Sequence, residues 1–255
     1  MKKNVIYISL VSLIMLNILV LILGLSITKI NRWKKNNKEN EFMQNEIKEI
    51  AIIQNDDDVE NKSDYKVDFK ALKEINSDVV GWLEVPGTNV NYSVVKSTNN
   101  DYYLTHNFNK KYNSSGWIFA DYNNKFDGTD KNIVIYGHNV RDNSMFGSLK
   151  NIIYEDWFNN EENYNITFMT ENKNEIYRVF SVYKIEAEDY YIQTEFKNQR
   201  IFDNFVKTLQ KRSIKEFNEQ VSYEDTILTL STCDNNNKYR IVLHAKKIQE
   251  KQVIQ

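Results

Sequence analysis

The sequence has few of the residues that usually support disulfide or metal chemistry. Cys233 is the only cysteine among 255 residues, so the chain forms no intramolecular disulfide and no zinc site built from several cysteines. The three histidines, His106, His138 and His244, are too far apart for a His-x-x-x-His metal pair. A metal hydrolase is therefore not expected, and neither is a metal or any other cofactor.

The chain also contains little proline and glycine, and its net charge is small. Pro86 is the only proline, there are seven glycines, and the formal net charge is -2. A nucleic-acid partner would call for a clustered basic face, and this charge balance gives no reason to expect one. The length is sufficient for one sizeable hydrophobic core or two small ones.

Near the N-terminus lies one long uncharged segment, residues 4–28. Roughly 20 apolar residues span a bilayer, so this segment is long enough to cross one. A cleaved signal peptide has a shorter apolar region and a small-x-small cleavage site, which GLS at 24–26 matches poorly. We predict an uncleaved transmembrane anchor at 4–28, after a short cytoplasmic end at 1–3.

Two further regions follow the predicted anchor. Residues 29–62 are polar and charged with little apolar periodicity, which predicts a solvated stalk. From residue 63 to 255 apolar periodicity returns, which indicates one folded domain. The basic residues after the anchor outnumber Lys2 and Lys3, so the positive-inside rule alone would place this domain in the cytoplasm.

The folded region has the pattern of a mainly β domain with helices. Short β-rich runs alternate with turns, giving about eight strands, and an amphipathic helix precedes them near residues 64–76. A second, longer helix is predicted at 199–210, where apolar residues recur on one face. Closely spaced strands with helices at the start and late in the chain favour a β-barrel-like α+β domain over a βαβ repeat.

Cys233 ends one predicted strand, and Arg240 opens the next after a loop of six residues. A loop this short keeps its two ends near each other, so the thiol and the guanidinium are expected to be close. Arginine beside cysteine favours the thiolate and offers forked donors to an oxyanion. A buried structural thiol beside a surface arginine remains the alternative on this stretch alone.

A cysteine nucleophile needs an acid or base, and the histidines differ in their suitability. His138 follows an apolar strand, and Gly137 beside it allows a sharp exit of the backbone. His244 lies in mid-strand, about 13 Å along the strand from Arg240, and is predicted to be a hydrogen-bonded structural residue. His106 lies in a polar segment and is predicted to be a loop residue.

Several segments, in this order, resemble class B sortases, the membrane-anchored cysteine transpeptidases of Gram-positive bacteria. The resemblance extends over roughly residues 64–247 and includes the long helical segment before the cysteine strand. The matching segments are GWLEVPGTNVNYSVV, NNDYYLTHNF, GWIFADYNN, NIVIYGHNVRDNSMFGSL and DTILTLSTC.

This resemblance implies an eight-stranded barrel with an N-terminal helix and a long helix before the cysteine strand. It implies Cys233 as nucleophile, His138 as general acid and base, and Arg240 as the group that stabilises the oxyanion. The residues it implies for the sorting-signal groove are Asn100, Leu104, Tyr136 and Ser231, with Tyr191 and Ile192 on the opposite wall.

The implied reaction cleaves a sorting signal after threonine and joins the secreted protein to a cell-wall peptide amine, or to its lipid-linked precursor, through a thioacyl enzyme. The implied location is a single-pass membrane protein with an extracellular catalytic domain, against the charge count around the anchor. Three alternatives remain: a pilin-polymerising sortase, a cysteine peptidase, and an inactive membrane-tethered binding module. A papain-like peptidase would carry its cysteine early and on a helix, and the Ser-His-Gly-Cys core of L,D-transpeptidases is absent from the chain.

Overall fold

The computed structural model describes residues 2–54, 65–233 and 238–253, with the side chains of 2–10, 54 and 233 excepted. Its helices are α1 (Lys2–Ala51), α2 (Phe69–Ile75), α3 (Glu155–Phe158) and α4 (Gln199–Arg212). Its strands are β1 (Ile52–Gln54), β2 (Tyr65–Val67), β3 (Val79–Glu84), β4 (Asn91–Val95), β5 (Phe119–Ala120), β6 (Asn132–His138), β7 (Asn165–Met169), β8 (Lys173–Glu186), β9 (Ile227–Cys233) and β10 (Tyr239–Gln252).

Strands β3 to β10 form a closed barrel in the order β10-β8-β7-β3-β4-β5-β6-β9. Two neighbouring pairs, β4 with β5 and β6 with β9, run parallel, and the other pairs within the barrel are antiparallel. Closure removes the exposed sheet edges that would otherwise invite strand pairing with other chains. The predicted eight-stranded, mainly β fold with helices is confirmed.

Helix α4 covers one outer face of the barrel because its apolar residues share one side. Phe202, Phe205, Val206 and Leu209 are buried there, whereas Ile201, predicted on the same face, is 37% exposed. The Asn198 side chain caps the helix by accepting from the Ile201 amide at 3.1 Å. This covering helix forms a second apolar cluster outside the barrel, beside strands β8, β9 and β10.

The first half of α1 has the properties of a membrane anchor. Among the described residues, the helix is long and apolar enough from Val11 onward to cross a membrane, as judged by length and composition. Its large apolar side chains between Val11 and Ile30 are exposed. An apolar helix left uncovered by its own protein is stable where lipid surrounds it.

The second half of α1 corrects the prediction of a solvated stalk, which is wrong for residues 36–51. Met43, Ile47 and Ala51 are buried in the main core of the barrel domain. These apolar residues recur every four positions, so they form one narrow stripe in a segment that is otherwise polar. Residues 29–35 continue the helix with mostly exposed side chains, residues 52–54 form β1, and residues 55–62 of the predicted stalk lie outside the described residues.

Polar side chains of α1 also bind the barrel. Asn40 donates to the Gly116 carbonyl at 3.1 Å, Asn37 donates to Asp142 at 2.6 Å, and Gln44 donates to the Asn91 carbonyl. Buried amides of this kind are retained where each has a partner. The anchor helix therefore continues without interruption into a segment that belongs to the barrel domain.

Candidate active site

The parallel pair β6 and β9 brings two of the predicted catalytic residues to one end of the barrel. Along the pair, Tyr136 lies opposite Ser231 and His138 lies opposite Cys233. Both strands have their last residue at this level, His138 in β6 and Cys233 in β9. The backbone positions of His138 and Cys233 are therefore adjacent, while the Cys233 side chain and residues 234–237 lie outside the described part of the chain.

His138 is held by the backbone of a neighbouring loop. Its Nε2 lies 2.8 Å from the Leu104 carbonyl oxygen, and a carbonyl oxygen only accepts, so Nε2 carries the proton. Burial lowers the pKa of His138, the Leu104 carbonyl raises it, and the nearby Arg240 charge lowers it again, with a net decrease. The neutral imidazole therefore leaves Nδ1 as the nitrogen that can accept a proton.

Gly137 serves a different purpose from the predicted sharp exit. Strand β6 continues through Gly137 to His138, and the chain then folds back so that the Phe146 amide donates to the His138 carbonyl at 3.0 Å. A Cβ on residue 137 would lie 2.7 Å from the Phe146 ring, closer than van der Waals contact allows. Glycine is required here for close approach, because the Phe146 ring packs directly against residue 137.

Arg240 lies at the start of β10, half-buried, and its Nη1 donates to the Tyr239 carbonyl at 3.1 Å. Its charge contributes to the pKa of His138, so the guanidinium is near the imidazole. Strand β10 also pairs with β9, which ends at Cys233. The backbone positions of His138 and Cys233 and the side chains of His138 and Arg240 therefore lie at one end of the barrel, and the catalytic roles of the three residues stay a prediction.

Leu104 contributes through its backbone. It ends a short 3₁₀ turn, Tyr102–Leu104, and its half-buried side chain packs against the main core. The turn is fixed from below, because the Trp117 amide donates to the Tyr103 carbonyl at 2.9 Å and the Tyr103 hydroxyl donates to Asp78 at 2.7 Å. The carbonyl that orients His138 therefore belongs to a rigid support.

Asn100 and Tyr136 meet on a buried carboxylate. Asp121 accepts from the Asn100 amide and from the Tyr136 hydroxyl, each at 2.8 Å. Asp121 is only 2% exposed, and Asn123 supplies two more donors to its other oxygen. A buried carboxylate surrounded by donors is satisfied, so it fixes both of its partners.

Tyr191, Ile192 and Ser231 form the flank toward β10, where the Tyr191 ring lies 6.2 Å from that of His244. The Tyr191 hydroxyl is 3.0 Å from the Ser231 hydroxyl, and both residues are buried. Ile192 is half-buried and packs against both apolar clusters. The structure thus brings the six predicted groove residues to the two flanks of the β6–β9 pair.

His244 and His106 each have structural partners, as predicted. His244 is fully buried, with Nδ1 2.8 Å from the Thr229 hydroxyl and Nε2 2.8 Å from the Tyr183 hydroxyl. His106 lies in a loop and stacks on Tyr102 with ring centroids 4.1 Å apart. Both histidines have structural contacts that account for them.

His244 predicts an acid-sensitive stability. Burial lowers its pKa from 6.5 to about 3, so the unfolded chain binds this proton first as the pH falls. The free energy of unfolding is therefore expected to drop by about 3 kcal/mol between pH 7 and pH 4 through this residue alone. The contribution is complete above pH 6.5 and is lost progressively toward pH 3.

Urea unfolding at both pH values measures this loss. His244→Gln is expected to lower the stability at pH 7 and to flatten its pH dependence over this range. His106→Gln, which changes a loop histidine, is the matched control and is expected to keep the wild-type slope. Equal slopes for wild type and His244→Gln would contradict the prediction.

Asp121 and Asn132 hold the predicted site residues, and the sequence analysis did not single them out. Asp121 anchors Asn100 and Tyr136, and Asn132 bonds to the segment that carries Tyr191 and Ile192. The available signal was their position: each is a polar residue at the end of an apolar strand-like run, in IFAD and NIVIY. Polar residues at such places need partners when they are buried.

The arrangement can support acyl transfer. A cysteine position beside a neutral imidazole provides a nucleophile and a base, and a nearby guanidinium provides forked donors for a developing oxyanion. The nucleophile, the base and the oxyanion donors are all supplied by side chains of the protein.

Comparison with known proteins agrees with this geometry. The sortase domain family matches residues 83–248. Sortase B of Listeria monocytogenes is 37% identical over 71% of this chain and 74% of that protein, and sortase B of Staphylococcus aureus is 34% identical over 71% and 75%. The crystal structure of sortase B from Bacillus anthracis superposes with a TM-score of 0.74 at 32% identity, covering 84% of this chain and 99% of that one. The chain therefore belongs to the sortase family of transpeptidases and resembles its class B members throughout the barrel.

Proposed function

We propose that this sortase cleaves a C-terminal sorting signal after threonine and transfers the cleaved protein to a cell-wall peptide amine or its lipid-linked precursor. The observation that carries this proposal is the parallel register that sets Cys233 beside His138, with Arg240 at the start of the adjoining strand. The secreted protein with its sorting signal and the wall amine are the proposed partners.

In the first half-reaction, the Cys233 sulfur attacks the threonine carbonyl carbon. The thiol proton moves to Nδ1 of His138, and the oxyanion receives the forked donors of Arg240. His138 then gives the proton to the departing amine as the peptide bond breaks. The product is a thioester between Cys233 and the threonine.

In the second half-reaction, an incoming amine attacks the thioester. It loses its proton to His138, and the tetrahedral intermediate collapses with release of the Cys233 sulfur, which recovers the proton. Two acyl transfers through one covalent intermediate replace one difficult exchange. Because His138 acts from its neutral form and its pKa is lowered by burial, activity is expected to fall on the acid side only below about pH 6.5.

The groove for the sorting signal is proposed to lie between two walls. Asn100, Leu104 and Tyr136 form one wall, and Tyr191 and Ile192 form the other, with Ser231 at the floor. What supports this is their position on the two flanks of the β6–β9 pair, next to His138 and Cys233.

The catalytic domain is proposed to lie outside the cell. A wall amine is available only there, and the apolar half of α1 provides the anchor. The division into an inner end at 1–3, a span at 4–28 and an outer catalytic domain from 63 stays a prediction, with the packed segment 36–51 added to that domain.

The test is a transfer assay on the soluble fragment 29–255, which keeps the packed half of α1. The fragment is screened against a pentapeptide library with and without an amine acceptor, and mass spectrometry detects the acyl adduct on the only cysteine. We expect a thioester at Cys233 and an acceptor-linked product. Hydrolysis that no amine diverts would instead indicate a peptidase, and the absence of any adduct would indicate an inactive binding module.

A further inference from the structure

A buried chain of hydrogen bonds lies behind the short 3₁₀ turn Tyr190–Ile192. It begins at the Tyr190 hydroxyl, which donates to the Tyr183 hydroxyl at 2.9 Å. It continues through His244 to Thr229, with two contacts of 2.8 Å. It ends where the Thr229 hydroxyl donates to the Asn132 side-chain oxygen at 2.6 Å.

The direction of every bond in this chain is determined by its far end. The Asn132 amide nitrogen faces two carbonyls, so the oxygen of Asn132 must be the atom that Thr229 approaches. The Thr229 proton is therefore committed to Asn132, and Thr229 accepts from Nδ1–H of His244. Nε2 of His244 then accepts from Tyr183, which in turn accepts from Tyr190.

The two carbonyls bound by Asn132 belong to the segment on the proposed groove wall. Its Nδ2 donates to the Gln193 carbonyl at 2.9 Å and to the Tyr191 carbonyl at 3.3 Å. Tyr190 through Gln193, here called the 190–193 turn, is thus joined to the barrel at both ends of the hydrogen-bond chain. A backbone bond of the turn itself, from the Ile192 amide to the Asp189 carbonyl, stays within the loop and does not fix it to a strand.

We propose that Thr229 and Asn132 are positioning residues that set the affinity for the sorting signal by fixing the 190–193 turn. This inference rests on the proposed function, because it assigns the turn to the substrate groove. Thr229 supports the Asn132 amide by donating to its oxygen, and Asn132 holds the two carbonyls. Neither residue touches the substrate, so their effect reaches it through Tyr191 and Ile192.

These hydrogen bonds do more than provide partners for buried polar groups. Asn132 and Thr229 are both fully buried and form a diagonal pair across β6 and β9, because Asn132 faces Ile227 and Thr229 faces Val134. The Asn132 amide donates to two carbonyls of the turn and so fixes the orientation of the turn, which an apolar contact alone would not do. A groove wall that is already ordered by hydrogen bonds loses less conformational entropy when the substrate binds, and this favours affinity.

The test compares Thr229→Val with Thr229→Ser in the full chain held in phospholipid nanodiscs. Valine keeps the shape but removes the hydroxyl, so the Asn132 oxygen loses its donor and the amide is held less firmly, whereas serine keeps the hydroxyl. We expect Thr229→Val to raise KM for the sorting peptide about tenfold, as for one lost buried hydrogen bond, with kcat nearly unchanged. Thr229→Ser is expected to restore the wild-type KM.

Hydrogen exchange supplies a readout that does not depend on turnover. Amides of residues 189–194 are expected to exchange faster in Thr229→Val and in Asn132→Asp, while the strands β6 and β9 stay protected. The rate of alkylation of Cys233 and its pH profile are expected to match the wild type. Tyr190→Phe, which changes only the half-buried start of the chain, provides a variant that folds readily and shows the same local change.

Asn163→Asp is the matched control. Asn163 is also buried and also donates to a backbone carbonyl, that of Trp157 at 2.9 Å, on the opposite side of the barrel. It is expected to lower the melting temperature and leave KM unchanged. Unchanged exchange at 189–194 in Thr229→Val, or an unchanged KM, would overturn the inference. A wild-type chain that accepts no sorting peptide would refute the proposed function, and exchange at the turn would still decide whether these residues position it.

Discussion

Replacing Cys233 with alanine is expected to abolish both half-reactions while the barrel remains folded. The sulfur is the only atom proposed to form a covalent bond with the substrate, and alanine has nothing that can replace it. The expected loss of transfer is at least about 10⁴-fold, the scale seen when a nucleophile is removed. The measurement is formation of the acceptor-linked product, with circular dichroism and thermal melting as the test of folding.

Because Cys233 is the only cysteine in the chain, thiol alkylation gives an independent test of the same prediction. Wild-type protein alkylated with iodoacetamide can be modified only at Cys233, so it serves as the chemical counterpart of the variant. Both forms are expected to melt close to the unmodified protein and to give no thioester. Transfer that persists in Cys233→Ala would refute the assignment of the nucleophile.

Arg240→Lys is expected to reduce kcat/KM by about 10² to 10³, the usual result of removing an oxyanion donor. Lysine keeps the positive charge near His138 but cannot present two parallel donors to an oxyanion. This one substitution therefore separates the effect of the positive charge from the effect of the two parallel donors. The pH profile of Cys233 alkylation is expected to stay near that of the wild type, because the charge remains.

Arg178→Lys is the matched control for this substitution. Arg178 lies on β8, where it contacts Glu161 and Glu219 and its guanidinium lies over the Tyr164 ring. It is expected to change stability slightly and kcat/KM very little. If Arg240→Lys turns over within about threefold of wild type, a difference under about 1 kcal/mol, oxyanion stabilisation must come from another group.

The strands and the strand ends were readable from the sequence. The short β-rich apolar runs in NIVIYGH and TILTLSTC, each followed by a polar segment, predict strands at whose ends His138 and Cys233 lie. The six-residue connection predicts the closeness of Arg240, and the described start of β10 at Tyr239 agrees with it. These features are local, so short-range patterns contain them.

The packing of residues 36–51 was not readable in the same way. Their composition is polar, and a stripe formed by Met43, Ile47 and Ala51 is too narrow to indicate a buried helix by itself. The barrel provides the partners that make burial favourable: Asn91, Gly116 and Asp142 accept from the amides of the helix. Tertiary contacts therefore override a local pattern that resembles a solvated segment.

The roles of particular groups around the site were likewise invisible to local patterns. The Leu104 carbonyl orients His138 from 34 residues away in sequence, and a backbone atom leaves no trace in residue type. Gly137 is required by the approach of Phe146, which only the folded loop reveals. Burial is the largest cause of the lowered pKa of His138, and the Arg240 charge lowers it further, and both depend on the folded surroundings of the ring.

The amino-acid sequence by itself determined the fold class, the anchor, the family resemblance and the three candidate catalytic residues, because periodicity, uncharged length and motif order are properties of the chain. Only the tertiary structure decided which strands pair in parallel, which carbonyl orients His138 and which buried side chains hold the 190–193 turn. The physical reason is that hydrogen bonds, burial and pKa depend on distances between residues far apart in the chain, and these distances exist only after the barrel closes.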